Sequence, residues 1–515
     1  MVAPLRTASI QAPAFYGLNT MDSEVTLDPK FARSAENCII DEGGRIGSRL
    51  GWEYVAQTDP VSTVDLKGMH RLVDIDGQEF FGAWSDTGFY IKSGGTLAPV
   101  TYTNTPAVNT LTEGNWQAAS LNDAAYLFQR GYEPIFFSPV AGTLDDVTTQ
   151  GKGTPPQANT VLSAYGRIWC ADTPTNKTTV YWSDLLDGAE WRTGTGTVGS
   201  LDISGILVYG NDEIVGLGAH NGRLIIFCKN NIIIMDDQSA GKQYLDPADM
   251  GLVEVINGVG CIARDSIVNT GTDIMFLSES GVRSLGRTIQ EKSQPMRDIS
   301  RNVRDTLVDQ VSRADKTKIR ATYSDHFAFY LLSIPDEQTV WCFDMRAPLQ
   351  NGSARVTRWN GLDHTSWLAF DGSMYMTNTQ GIAEYRGYQD NGSKYSMQYY
   401  TNYFDFGMSN MIKIVKNIAA TVIGSTGQKF VAKIGTDYED IYTSYQLTVK
   451  DAEVSEYNIA EYNIGEYSGA ALIDNIRIPA GGSGFVVQLG FESEINGGFL
   501  SIQQIDLYVK QGRLN

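Results

Sequence analysis

Short runs of alternating apolar and polar residues, separated by turn-forming residues, cover most of this chain. Between about 66 and 388, one pattern recurs seven times: an apolar strand, a turn of Gly, Asn or Asp, and a second apolar strand. Period-two alternation is typical of half-buried antiparallel strands, and Gly and Asn adopt the backbone conformations of tight turns. The pattern therefore predicts seven hairpins, at 70–91, 118–137, 166–185, 216–236, 271–285, 326–345 and 366–387.

The spacing of these hairpins indicates the architecture. They recur at roughly 45 residues per unit, which is the repeat length of a propeller blade. Propellers typically carry four to eight blades of four strands each. We therefore predict an all-β chain in which 61–388 form a β-propeller-like body of five to eight blades.

Different patterns flank this body. The C-terminal part, 389–515, contains about seven strand-like runs at wider spacing, which predicts a β-sandwich-like domain. A near-repeat of period five at 456–468 interrupts these runs and predicts an extended loop. The first part, 1–60, reads as an irregular arm with one hairpin, whose turn is Asp41-Glu42-Gly43-Gly44.

One helix is predicted within the propeller region. Ile299, Val303, Leu307 and Val311 recur every four residues, and charged residues fill the other face. This is the pattern of a surface amphipathic helix. Asp298 precedes the apolar stripe and is the expected N-cap. The helix either packs on the propeller or docks a neighbouring subunit.

Composition limits the possible functions. The net charge is −19 and the pI about 4.7, so the chain lacks the basic balance of a protein that grips nucleic acid. The acidity serves either ordinary solubility or a surface that DNA passes without sticking. No apolar run approaches the length of a membrane span, and the N-terminus shows no signal peptide.

The five cysteines are scattered, and their odd number does not indicate a disulfide framework. Three lie in apolar strand-like runs, which favours reduced cysteines buried in a core. The cysteines are Cys38, Cys170, Cys228, Cys261 and Cys342.

Catalytic and metal-binding motifs are not apparent. Four histidines lie far apart in sequence, without zinc spacing, and no nucleophile elbow or phosphate loop occurs. The histidines are His70, His220, His326 and His364. We therefore predict no catalytic, cofactor-binding or metal-binding residues, no cofactor, and no enzymatic activity.

Several acidic and aromatic residues nevertheless allow two interpretations. Asp184 with Asp187, or Asp236 with Asp237, could pair as glycosidase carboxylates, although acids at these positions are usual turn formers. Asp74-Ile75-Asp76-Gly77 contains a fragment of a calcium loop, but turn chemistry explains it better. The aromatics Tyr399, Tyr400, Tyr403 and Phe404 fit a strand and an interaction platform equally well.

Short motifs at the start of the chain resemble those of a known family. They are Gly17-Leu18-Asn19, Ala35-Glu36-Asn37-Cys38, Gly43-Gly44-Arg45 and Gly51-Trp52. In this order they resemble the N-terminal segment of tail nozzle proteins of short-tailed (podovirus-type) bacteriophages, also called tail tubular protein B or packaged-DNA stabilisation protein. The blocks 166–185 and 401–424 resemble the same family's later strands.

The resemblance implies a role in the virion. Nozzle proteins form a homohexameric tube below the portal and adaptor rings, which retains packaged double-stranded DNA and lets it pass at ejection. The expected partners are five further copies, the tail adaptor or head-to-tail connector, and tail fibres or a needle. The expected location is the virion tail, after assembly in the host cytoplasm.

Two other functions remain open. A carbohydrate-active propeller would carry two acids at glycosidase separation in a cleft on one face. A receptor-binding tail protein would bind host cells, with the 456–468 segment as the expected contact.

Overall fold

The computed structural model describes residues 5–24, 26–41, 43–74, 76–103, 114–194, 196–207, 212–237, 246–292, 298–439, 441–449 and 472–512. Within these ranges strands dominate, and they form a propeller and a two-sheet sandwich joined by the N-terminal segment. The predicted all-β class with a propeller-like body is therefore confirmed. The predicted loop at 456–468 lies outside the described residues.

The N-terminal strands do not form a separate unit, because all of them except β4 pair with another part of the molecule. β1 and β5 pair with the last strand of the chain, β2 and β3 enter a sheet shared by the propeller and the sandwich, and β6 joins the last blade. β4 and β5 are the hairpin predicted around Gly43-Gly44. The six strands are β1 Leu5–Gln11, β2 Gly17–Leu18, β3 Phe31–Glu36, β4 Cys38–Ile40, β5 Ile46–Ser48 and β6 Trp52–Gln57.

The first four blades each contain one antiparallel meander of four strands. They are β7 Gly68–Val73, β8 Glu79–Trp84, β9 Phe89–Ser93 and β10 Thr96–Pro99; β12 Gln117–Leu121, β13 Ala124–Phe128, β14 Ile135–Ser138 and β15 Thr143–Asp146, with β11 Thr101–Tyr102 beside β15; β16 Thr160–Ala164, β17 Arg167–Ala171, β18 Thr179–Trp182 and β19 Gly199–Asp202; and β20 Ile214–His220, β21 Arg223–Cys228, β22 Asn231–Asp237 and β23 Met250–Asn257.

Three further blades complete the body. The seventh takes its outermost strand, β6, from the N-terminal segment, so the two ends of the propeller meet in one blade. These blades contain β24 Val268–Asn269, β25 Ile274–Ser278 and β26 Gly281–Ser284; β27 Arg320–Ser324, β28 Phe329–Ile334, β29 Thr339–Asp344 and β30 Arg355–Asn360; and β31 Ser366–Phe370, β32 Ser373–Thr377 and β33 Gly381–Tyr385.

The first strands of the seven blades close a ring. Each of β7, β12, β16, β20, β24, β27 and β31 contacts the first strand of the next blade, and β31 contacts β7. The first strand is therefore the innermost strand of every blade. The seven predicted hairpins fall one in each blade, and seven lies within the predicted range of five to eight.

The C-terminal strands form the sandwich. One sheet has the order β38-β35-β41, with β1 and β5 beside β41, and the other has the order β34-β40-β36-β37. Apolar residues of both sheets belong to one buried cluster. The strands are β34 Tyr395–Thr401, β35 Lys413–Gly424, β36 Lys429–Thr436, β37 Tyr442–Thr448, β38 Leu472–Pro479, β39 Ser483–Gly484, β40 Val487–Ile495 and β41 Leu500–Gln511.

Two α-helices follow blade five: α1 Leu285–Glu291 and α2 Arg304–Arg313. The predicted amphipathic helix is α2 with the single turn Arg301–Val303 before it, and all four predicted apolar residues are buried in the same core as the sandwich. The prediction of Asp298 as the N-cap is wrong. Its carboxylate instead contacts Arg283 at 3.5 Å and Arg304 at 2.9 Å, and is buried between them.

Candidate functional site

The axis of the propeller is one natural place for a site, because loops and innermost strands of all blades meet there. Arg264 begins the single helical turn Arg264–Ser266 that leads into blade five. Its guanidinium donates to the carbonyl oxygens of Asn159 (2.7 Å) and Asn115 (3.2 Å), and to Oδ1 of Asn115 (3.0 Å). These asparagines lead into blades three and two. In a ring of seven, blades two and five are not neighbours, so Arg264 reaches across the axis.

Asp265 is the negative centre of this arrangement. Its carboxylate forms ion pairs with Arg264 at 2.8 Å and with Arg320 of blade six at 2.7 Å. It also accepts a hydrogen bond from the side-chain amide of Gln117 of blade two at 3.1 Å. Burial alone raises the pKa of Asp265, but the two arginines outweigh burial and hold the pKa below its usual value. Asp265 therefore stays ionised and compensates both cations.

The remaining polar groups at the axis are also satisfied within the chain. The side-chain oxygen of Gln117 accepts from the hydroxyl of Thr160 (3.0 Å) and from the backbone N–H of Val161 (2.8 Å). A ligand entering here would have to displace these paired charges and hydrogen bonds, which is costly for buried groups. We call Asn115, Gln117, Asn159, Arg264, Asp265 and Arg320 the axial cluster; it connects blades two, three, five and six.

A second buried polar cluster lies where the propeller meets the sandwich. Arg49, whose side chain is 0% exposed, forms a bidentate pair with Asp390 at 2.7 and 2.8 Å. Its Nε donates to Oδ1 of Asn37 at 3.0 Å, and its guanidinium lies 4.0 Å from the ring centroid of Tyr395. Arg49 thus joins the N-terminal segment to the residues that enter the sandwich.

Asn37 and Glu36 connect the same cluster to the propeller. Oδ1 of Asn37 also accepts from the backbone N–H of Asn360, and its Nδ2 donates to the carbonyl oxygen of Ser396, at 3.0 and 2.9 Å. Glu36 accepts from Nε of Arg358 on β30 at 2.9 Å. We call Glu36, Asn37, Arg49, Arg358 and Asp390 the junction cluster. It contacts the propeller, the N-terminal segment and the sandwich at once.

Two glycines allow the backbones to approach closely at this junction. A Cβ on Gly51 would lie 1.9 Å from the carbonyl oxygen of Gln389. Gly17 has φ +77°, and a Cβ there would lie 2.6 Å from the carbonyl oxygen of Val356. Only glycine fits both positions without movement. Gly17, Glu36, Asn37 and Gly51 all belong to the motifs that carry the family resemblance.

The four histidines do not form a site. No group of three or more His, Cys, Asp or Glu residues in the described part of the chain could hold a metal ion. His70 lies 2.6 Å from the hydroxyl of Ser120, and His364 is buried with Nδ1 2.8 Å from the carbonyl oxygen of Leu362. Burial lowers the pKa of each to about 4. His220 is half-buried and His326 exposed.

The candidate acids act as turn formers or ion-pair partners. Asp184 accepts from the backbone N–H groups of Leu185 and Thr197, and Asp187 pairs with Lys152 at 2.6 Å. Asp236 pairs with Arg223 at 3.0 Å.

The remaining acids also serve the backbone. Asp237 accepts from the backbone N–H of Asp246. Oδ1 of Asp74 accepts from the backbone N–H groups of Asp76 and Gln78, as in a hairpin turn. Ile75 lies outside the described residues.

Of the two interpretations of the aromatic residues at 399–404, the structure favours strand and core positions over an exposed platform. Tyr399, Tyr403 and Phe404 are buried, and Tyr400 is half-buried with its hydroxyl bonded to Glu492. All five cysteines are buried and free. No helix among the described residues has the length and apolarity needed to cross a membrane.

Sequence reasoning did not identify Arg49, Arg264, Asp265 or Asp390. Asp390 lies 341 residues from Arg49, and Asn115 lies 149 residues from Arg264. No local spacing could reveal such pairs. The one available signal was the family motif that contains Glu36 and Asn37.

Comparison with known proteins gives matches at the level of solved structures. No family model and no curated protein matches the chain. BamB from Moraxella catarrhalis matches with 10% identity and a TM-score of 0.36, over 74% of this chain and 99% of that one. The WD40 β-propeller domain of Doa1 matches with 10% identity and a TM-score of 0.35, over 65% and 96%.

PorZ of Porphyromonas gingivalis matches with 11% identity and a TM-score of 0.34, over 64% of this chain. This chain spans 37% of the length of PorZ. The number of blades rests on the strand pairing described above and not on these matches.

Proposed function

We propose that this chain is a non-catalytic structural subunit of the tail nozzle of a short-tailed bacteriophage. Six copies form a conduit below the portal and adaptor, which retains packaged DNA and lets it pass during ejection into the host. The adaptor binds one end of the conduit, and fibres or a needle attach to it. The protein is located in the virion tail after assembly in the host cytoplasm.

The observation that carries this proposal is the position of the resembling motifs. Gly17, Glu36, Asn37 and Gly51 lie where the N-terminal segment meets the propeller and the sandwich. The motifs therefore encode a joint between two β-rich domains and not a catalytic centre. A joint with buried, paired charges suits a subunit that must keep its shape while it retains packaged DNA.

The pairing of charges at the axis supports the same role. Asp265 is paired with Arg264 and Arg320, so the charged groups of the axial cluster are used to connect blades. The DNA path then lies between copies, and the propeller forms the body of each subunit.

The charge of the chain is consistent with passage of DNA. Six copies carry −114, six times the −19 of one chain. Acidic groups on a bore wall that come within a Debye length of ~8 Å of the DNA phosphates would be only partly screened. Such a wall repels phosphates and leaves few positions where DNA could bind.

Electron microscopy of the purified full chain and of assembled virions tests the proposal. We expect ring-shaped oligomers and labelling of the chain in the tail below the adaptor. A chain that stays monomeric and is absent from the tail would contradict the proposal.

Assays on host polysaccharide and host cells test the two other functions. We expect no degradation of capsule or cell wall by the purified chain. Degradation that is lost when two carboxylates are replaced would show an enzyme instead. Specific binding of the free chain to host cells, lost on deletion of 456–468, would show a receptor-binding protein.

A further inference from the structure

Among the described residues, one sheet of the sandwich has an outer strand on each side with an unpaired edge. On one side, β38 pairs only with β35, and β39 pairs with the beginning of the same β35. On the other side, β41 pairs with β1 over most of its length and with the β5–β4 hairpin near its start, and β1 itself pairs only with β41. A long unpaired edge offers a row of backbone N–H and C=O groups to another strand. This sheet offers two such rows, on opposite sides.

The register identifies the groups that β1 presents. The backbone N–H of Ala12 donates to the carbonyl oxygen of Gln503 at 2.9 Å, in the same register that pairs Leu5 with Lys510. In an antiparallel pair, alternate residues direct both backbone groups to the partner. Even-numbered residues of β1 therefore bond to β41, whereas Leu5, Thr7 and Ser9 direct N–H and C=O to the free edge.

The same reasoning applies to β38. The backbone N–H of Ala480 donates to the carbonyl oxygen of Lys416 at 3.0 Å, in the register that pairs Ile478 with Ile418. Even-numbered residues therefore bond to β35. Ile473, Asn475 and Arg477 direct their N–H and C=O groups to the free edge, and their side chains are exposed.

The two edges are complementary in direction. Every neighbouring pair in the order β38-β35-β41-β1 is antiparallel, so β38 and β1 run in opposite directions. When a second copy is placed beside the first without inverting the sheet, its β38 runs antiparallel to β1. A head-to-tail contact of this kind generates a ring if the rotation closes.

Exposed apolar side chains mark both edges. Leu5 on β1 is 58% exposed and Ile473 on β38 is 71% exposed. An isolated subunit with such edges would be prone to aggregation. A second copy of this chain would cover both edges with one repeated contact.

We infer that β1 of one copy pairs antiparallel with β38 of the next copy, so that this sheet continues from subunit to subunit. The inference rests on the proposed ring and specifies the contact that builds it. In this contact, the backbone N–H and C=O groups of Leu5, Thr7 and Ser9 bond to those of Ile473, Asn475 and Arg477.

Engineered cysteines test this contact on the full chain. Thr7→Cys is combined in turn with Ile473→Cys, Asn475→Cys and Arg477→Cys, which scans the register. Within one copy, β1 and β38 are three strand spacings apart, about 14 Å, which is too far for a disulfide. Facing residues of two copies lie about 5.5 Å apart, within disulfide reach. The five native cysteines are buried, so they contribute little background.

We expect one of the three combinations to give a ladder of covalent oligomers after mild oxidation, and each single variant to give none. The matched control combines Thr7→Cys with Ser444→Cys, which is exposed on β37 at the edge of the other sheet. This control should give no ladder.

A second variant, Thr7→Pro, removes an N–H that the fold itself does not use. We expect a folded chain with an unchanged circular dichroism spectrum that no longer assembles. Oligomers by light scattering without any ladder, or normal assembly of the proline variant, would overturn the edge contact and leave the nozzle function standing. A wild-type chain that remains monomeric would overturn both proposals.

Discussion

The axial cluster and the junction cluster both bury paired charges, but they hold different things together. The axial cluster uses only propeller residues, and Asp265 compensates two arginines from neighbouring elements. The junction cluster joins three parts of the chain through Arg49 and Asn37. The axial cluster therefore links blades to one another, whereas the junction cluster lies where the sheet of blade six continues through β2 and β3 into the sandwich. Damage to one cluster should leave the other intact.

The largest effect is expected when the axial anion is removed. Asp265→Asn leaves Arg264 and Arg320 buried without a counter-charge, and we expect a loss of about 5 kcal/mol in the free energy of unfolding. Scanning calorimetry should show a lower melting temperature for the propeller. The control is Asp309→Asn, whose carboxylate is 63% exposed in its pair with Arg313. The control should change stability by less than about 1 kcal/mol.

Loss of the junction cation should separate the two domains. Arg49→Met leaves Asp390 without its partner, and we expect a loss of about 4 kcal/mol. Calorimetry should then resolve two transitions, because the ion pair that couples the propeller to the sandwich is lost. The control is Arg386→Met, since Arg386 pairs with Glu53 on the surface and is 50% exposed. A single, equally shifted transition in the Arg49 variant would show that the junction cluster does not couple the domains.

The free energy of unfolding should fall at acid pH, in part because of His364 in the propeller. Burial lowers the pKa of His364 from 6.5 to about 4, so the unfolded chain binds the proton first as the pH falls. Stability is therefore lost between about pH 6.5 and pH 4, by about 3 kcal/mol at 1.36 kcal/mol per pKa unit. Urea titrations at several pH values should show this slope, and His364→Gln should make it shallower. An unchanged slope in that variant would contradict the assignment.

The smallest effect is expected from steric pressure at the junction. Gly51→Ala places a Cβ against the carbonyl oxygen of Gln389, and we expect a loss of about 2 kcal/mol, as for other overpacked sites. The control is Gly205→Ala, because no atom lies within 4 Å of the added Cβ. Urea denaturation of both variants measures the difference. Equal stabilities would show that the two backbones separate freely.

Local features of the fold could be predicted from the sequence. All seven predicted hairpins are present, one in each blade. They could be predicted because strand alternation and turn residues act over fewer than about ten residues. The stripe of Ile299, Val303, Leu307 and Val311 likewise predicted a helix, which is present as α2 although Ile299 precedes it. The helix α1 was missed because it is short and carries Gly286 in its first turn.

Features that depend on distant residues could not be predicted. The closing strand β6 comes from the N-terminal segment, and its partner β33 lies more than 300 residues away. The prediction of Asp298 as an N-cap was wrong because its carboxylate pairs with Arg283 and Arg304. Both clusters depend on such pairs. The junction could therefore be located in the sequence only through the family resemblance, and its ion pairs could not be predicted.

Native mass spectrometry of the purified full chain tests the central claim most directly. A nozzle subunit is expected to form a closed ring of six copies, each of 56.6 kDa. A dominant species of about six times the subunit mass is the predicted result. A monomer of 56.6 kDa at all concentrations and salt conditions would contradict the account.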